Sequence, residues 1–214
     1  MKRIALIAGA AVLLTGLSAG SARAQGRLLA RGGFAFPMGD YDQTSEGLDM
    51  YAKAGWTGGL ELRLPLVENM NFFVSYDRIV NGVDEDEVEA AIGTTEELSA
   101  DSHVADVALA GIRFVGSPVP NATLAIHGGV GLASFQPGSY SVEGAESSFD
   151  SARRMTVAGG FSLTMYRVEA AFRFYPLGTF EHDGRILIGD DEFEREDVQA
   201  PVKAMTLTLG FVLF

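Results

Sequence analysis

The chain has no cysteine and only three histidines, His103, His127 and His182. Thiol nucleophiles, disulfides, cysteine-based metal sites and attachment of lipid to an N-terminal cysteine are therefore excluded. A histidine paired with a serine and an acid would make a hydrolytic centre. His127 is followed by Gly128-Gly129, with no serine two residues away on the same face. It reads as a satisfied interior polar group rather than a general base. His103 and His182 read as loop residues and lack metal-ligand spacing. His127-Gly128-Gly129-Val130-Gly131 is glycine-rich, but a phosphate loop needs a strand–turn–helix setting that is missing here.

A second group of chemically capable residues is acidic. Asp84, Glu85, Asp86, Glu87, Glu89, Glu96, Glu97 and Asp101 fall in one segment, and Asp190, Asp191, Glu192, Glu194, Glu196 and Asp197 surround Arg195 in another. Carboxylate clusters can bind calcium, yet neither segment matches the D-x-[DN]-x-[DN]-G pattern. They read as solvated loops. No catalytic, cofactor-binding or metal residue is assigned, no cofactor is expected, and the chain reads as a non-enzyme.

The third group consists of charges set on one face of alternating segments: Arg31, Glu61, Arg63, Asp77, Arg113, Arg154, Glu169 and Arg173. The elements that position them follow from period-2 alternation bounded by turn residues. Eight such strands fall at about 27–36, 54–64, 70–80, 104–115, 121–134, 153–164, 168–177 and 202–214. In the second, Trp56, Gly58, Leu60, Leu62 and Leu64 share one face, and Thr57, Gly59, Glu61 and Arg63 the other. In the third, Met70, Phe72, Val74 and Tyr76 oppose Asn71, Phe73, Ser75 and Asp77. The sixth and seventh repeat the division, with Met155, Val157, Phe161 and Leu163, then Val168, Ala170, Phe172 and Phe174, on the apolar side.

The connections alternate in length. Residues 65–69, 116–120 and 165–167 are tight. Residues 37–53, 81–103, 135–152 and 178–201 are each several times longer. Short turns on one side and long loops on the other are the pattern of an up-and-down barrel in the outer membrane. Met1-Lys2-Arg3, the apolar run Ile4 to Leu17 and Ala22-Arg23-Ala24 before Gln25 form a secretory signal. The division is thus a signal peptide over 1–24 and one barrel domain over 25–214. Loss of three positive charges with the signal takes the formal charge from −12 to −15, which argues against nucleic-acid partners. No segment after Ala24 is long and apolar enough for a membrane helix, so a membrane-embedded chain must close into a barrel.

The predicted fold is all-β: an eight-stranded antiparallel up-and-down transmembrane β-barrel with short periplasmic turns and long external loops. A water-soluble calyx would turn the same alternation inside out. Mid-strand glycine pairs, aromatics at the ends of the apolar stripes (Trp56, Tyr76, Phe114, Phe211, Phe214) and the signal favour lipid outside. The interior of eight strands is only wide enough for side chains. Arg31, Arg63, Arg113 and Arg173 with Glu61 and Glu169 are expected to pair there and plug the lumen, with Asp77 and Arg154 nearer the outer end. The alternative is a narrow ion-selective pore.

The signal, Phe36-Pro37-Met38-Gly39-Asp40-Tyr41, Ala54-Gly55-Trp56 and the aromatic C-terminus together resemble the small outer-membrane barrels of the OmpA/OmpX type over residues 25–214. The resemblance implies insertion by the barrel-assembly machinery, which reads the last strand. It implies outer-membrane lipid and lipopolysaccharide as surroundings, a monomer, and no shared activity. One departure stands out. Met205, Leu207, Leu209, Phe211 and Leu213 are in phase, and Phe214 is one position off. No peptidoglycan-binding segment is expected after the barrel. The functional expectation is a structural or surface-interaction barrel, with a channel for small or hydrophobic solutes as the alternative and a lipid-modifying enzyme third.

Overall fold

A computed structural model describes residues 26–39, 51–92, 97–142, 145–188 and 191–214. The signal region, Asp40 and Tyr41, Glu96 and Asp190 lie outside these. Eight long strands alternate in direction: β1 (Arg27–Pro37), β2 (Ala52–Val67), β3 (Met70–Val83), β5 (His103–Val119), β6 (Ala122–Gln136), β9 (Ala152–Met165), β10 (Val168–Ile188) and β11 (Asp191–Val212). Each pairs antiparallel with its neighbour, and β1 pairs with β11 from Leu29↔Val212 to Pro37↔Ala204, which closes the ring. Closure leaves no sheet edge within the ring.

Alternation dictates the two faces. Trp56, Leu60, Val74, Tyr76, Phe161, Leu207 and Leu209 are exposed, while Thr57, Glu61, Phe73, Ser75, Asp77, Ser162 and Thr208 are buried. The outward faces of 28–36, 56–66, 70–76, 108–114, 124–132, 155–165, 168–174 and 205–213 carry no charged residue. Nine residues of strand rise about 30 Å, or about 21–25 Å at the usual tilt, the height of a lipid-facing band. Beyond its outer edge stand Arg78 and Asp106, 3.9 Å apart, with the Tyr76 hydroxyl donating to Asp106 at 2.5 Å. Phe114 and Phe211 lie exposed at the opposite edge.

At that opposite end the turns are tight, with Asn121 at φ 65° and Tyr166 at φ 57°. The turns are stitched to one another. Val115 N–H donates to the Asn69 carbonyl, Tyr166 N–H to Asn121, and Val212 N–H to Arg167. The Phe214 phase is resolved here. The regular strand ends at Val212, and Phe214 lies on the inward side at the mouth of the barrel.

The loop end differs from expectation. Residues 178–201, read as a loop, instead continue β10 and β11 as a hairpin beyond the barrel, with register shifts between Tyr175/Gly178 and His182/Gly184. His103 opens β5 and His182 lies within β10, so both leave the loops and are buried. Three short strands, β4 (Ser99–Ala100), β7 (Tyr140–Val142) and β8 (Ala145–Phe149), extend the sheet outward from β10 in the order β10-β8-β7-β4. Helix α1 (Glu85–Ile92) sets Val88 against Val83 and Leu98, with Tyr51, Ala100 and Tyr140 packed around them.

Candidate functional site

Inward-facing charged side chains from five strands meet in the half of the barrel nearer the tight turns. Arg31 on β1 grips Asp77 on β3 through Nε and Nη2, at 2.8 and 2.6 Å, and Glu61 on β2 through Nη1 at 2.7 Å. Arg63 donates to Glu61 at 2.5 Å and to Glu169 on β10 at 2.6 Å. Arg113 on β5 reaches the other Glu169 oxygen at 2.9 Å, which also accepts from the Thr164 hydroxyl at 2.8 Å. Arg173 bridges Glu61 and Asp77, and its guanidinium lies 5.6 Å from the Phe73 ring centre. The Tyr175 hydroxyl donates to Asp77 at 3.0 Å.

The pairs cross the lumen rather than running along one wall. Arg63 and Glu169 belong to strands separated in the ring by β11 and β1. All seven charged side chains are at most 7% exposed. Bidentate arginine–carboxylate geometry is the strong form of this contact. Two glycines make room for it. A Cβ on Gly59 would come within 2.2 Å of Asp77 Oδ1, and one on Gly111 within 2.8 Å of the Phe73 ring.

The expected members of the network are all present. Asp77, placed apart in the sequence reading, belongs to it. Arg154 does not. It donates to the Thr179 carbonyl at the outer rim, with its guanidinium 5.8 Å from the Phe180 ring centre. Sequence reasoning also missed the layer above. The outer half of the interior is mainly apolar, built from Ile79, Val107, Leu109, Phe135, Leu177, Phe180 and Val202, with Asn81, His103 and His182 buried among them. Phe135 lies 5.4 Å from Phe180 and 5.7 Å from His182. The signal was there in Ala105, Val107, Leu109, Ala133 and Phe135, where the inward face of β5 and β6 turns small or apolar.

His127 is buried on the inner face of β6, edge-on to Phe73 with ring centres 6.0 Å apart. It is not the satisfied polar group expected, because neither ring nitrogen has a hydrogen-bond partner. Ser162 sits on the adjacent strand, two residues beyond His127's register partner Gly160, and its hydroxyl is also unpartnered. No base–nucleophile hydrogen bond links the two. Among the acidic residues, Glu89 accepts from Leu98 N–H at 2.8 Å and Glu85 from Ala100 N–H at 3.0 Å. Among the described residues no group of three metal-ligating side chains is assembled.

Below the network the barrel opens into a cavity of about 730 Å³, walled by Arg63, Arg113, Asn71, Thr123 and Thr164, with Phe214 at its mouth.

This geometry is the architecture of a small eight-stranded up-and-down β-barrel with a charge-free outer band. No protein-family model and no curated relative matches the sequence. Solved structures do. A major outer membrane protein from Thermus thermophilus is 12% identical, with a TM-score of 0.54 over 88% of this chain and 100% of that one. Neisserial surface protein A is 13% identical, with a TM-score of 0.48 over 89% and 99%. OprG from Pseudomonas aeruginosa is 11% identical, with a TM-score of 0.48 over 89% and 97%. At these identities the likeness is one of fold alone: a closed eight-stranded antiparallel β-barrel.

Proposed function

We propose that this protein is a structural or surface-interaction barrel of the outer membrane whose lumen is closed, and that it is not an enzyme. The observation that carries the reading is the lumen-crossing ion network of Arg31, Glu61, Arg63, Asp77, Arg113, Glu169 and Arg173, capped on its outer side by the Phe135–Phe180 layer. A conducting pore needs a wet path. Here each carboxylate is held by two or three arginine contacts, and the layer above is mainly apolar. The sheet and helix beyond the outer rim supply the surface for contact with lipopolysaccharide or another cell-surface component. The lipid-facing band supplies the anchorage.

The test is electrical. The mature protein reconstituted in planar bilayers is expected to give no steady ohmic conductance at neutral pH. Steady conductance that changes when Glu61 is replaced by Gln would replace this reading with a narrow channel.

A further inference from the structure

We propose that the periplasmic vestibule binds a small oxyanion, a phosphate or carboxylate group, on the guanidinium of Arg113. Three independent features meet there. The first is the cavity itself, about 730 Å³, with Arg63 and Arg113 on its wall among the amide and hydroxyl groups of Asn71, Thr123 and Thr164. That volume holds an oxyanion together with an organic group or bridging water. The second is charge. Four arginines of the network face three carboxylates, so one positive charge is in excess. An uncompensated buried charge is costly, and a bound anion offsets it.

The third feature is unspent hydrogen-bonding capacity at one place. Arg113 is 2% exposed, and only Nη2 is bonded to Glu169. Nη1 has no partner. The same register row continues Arg113↔His127↔Gly160↔Arg173 away from the cavity wall, and both His127 nitrogens and Arg173 Nε are unpartnered there too, behind the site rather than in it. Buried polar atoms in folded proteins are nearly always satisfied by protein, water or ligand. A guanidinium offers paired donors in the geometry of a carboxylate or phosphate. Glu68 also lines the cavity, but it is exposed, so its charge is screened by solvent. The proposal does not depend on whether the lumen conducts.

The experiment uses the mature barrel refolded in maltoside micelles, free of phosphate, at low ionic strength. Inorganic phosphate and acetate are titrated in turn, read by calorimetry and by the guanidinium nitrogen resonances of the arginines. Saturable millimolar binding at one site per barrel, with the Arg113 resonance moving, is the expected result. Arg113→Gln is expected to weaken it at least about tenfold, ~1.4 kcal/mol, while Arg78→Gln on the outer surface leaves it unchanged. Where Arg113→Gln does not fold, Thr123→Val and Asn71→Leu alter the wall without touching the ion network, and each is expected to weaken binding. Competition by short-chain phosphatidylglycerol would assign the oxyanion to a lipid headgroup, and failure to compete would assign it to a soluble anion. Absence of saturable binding to the wild type, or binding unchanged in Arg113→Gln or in both wall variants, overturns the proposal.

Discussion

Glu61 is held by Arg31, Arg63 and Arg173 at once. Its removal leaves three guanidiniums short of a partner inside the barrel. Glu61→Ala is therefore expected to lower stability by about 3–5 kcal/mol, the scale for breaking a buried pair, as measured by urea unfolding in lipid vesicles. Adjacent glycines separate packing from propensity. A Cβ at Gly59 meets Asp77 Oδ1 at 2.2 Å and the Tyr76 carbonyl at 2.4 Å, whereas a Cβ at Gly58 meets nothing closer than 3.8 Å. Gly59→Ala should destabilise by about 1–3 kcal/mol, as overpacking does, and Gly58→Ala should be neutral in the same assay. His182 adds a pH term. It lies beyond the membrane-spanning part of β10, with Nδ1 donating to the Asp150 carbonyl at 2.7 Å. Burial holds its imidazole below the ordinary value of 6.5. The unfolded segment takes up a proton near 6.5 and the folded one does not. Stability from this site is thus fully present above that pH and declines as pH falls from 6.5 toward the folded value. Hydrogen exchange of β8 and the outer part of β10 should accelerate over that window, and His182→Gln should remove the dependence.

The outer elements stand on a small core of their own. Val83, Val88 and Leu98 are buried together, and Glu85 and Glu89 satisfy backbone N–H groups of the segment that returns from α1. The two carboxylates thus serve as local acceptors in a segment whose composition suggested only solvated loop. Leu98→Ala should loosen this unit alone by about 2–5 kcal/mol. The expected result is faster external proteolysis between α1 and β4, with unchanged heat-modifiable migration of the barrel. A coupled loss of both would mean that the loops and the barrel fold as one cooperative unit. The element boundaries within the barrel were legible because each strand carries its own alternation and turn residues. The outward continuation of β10 and β11 was not. Gly178, at φ 86°, and Gly184 interrupt the pattern there, and the register shifts that accommodate them depend on the partner strand.

At the scale of the whole molecule, a charge-free outer band surrounds a charged interior, the division that a lipid surround requires. The cost of violating the band depends on depth. Leu209→Arg, at the middle of the outward face of β11, should cost about 2–4 kcal/mol of folding free energy in vesicles, and Leu213→Arg at its edge about 0–1. Equal costs at the two positions would mean that the band is placed wrongly along the strand. The single ring also explains the stitched turns. With Val115, Tyr166 and Val212 bonded to neighbouring turns, backbone hydrogen bonds tie together the rim that surrounds the vestibule.

The sequence by itself determined which face of each strand is apolar, how many strands form the ring and on which side the short turns fall. Those are local properties, set by a period of two residues and by turn chemistry. It also identified the charged residues that line the interior, since each sits on the polar side of its own strand. Only the tertiary structure decided who pairs with whom. Arg173 and Glu61 are 112 residues apart, and Arg63 and Glu169 are 106. Their meeting depends on the stagger of strands around a closed ring, which no single strand records. The same closure sets Phe135 against Phe180 above the network and places Arg113 on the wall of the vestibule. Distance across the lumen is a property of the ring, and the ring exists only once β11 has found β1.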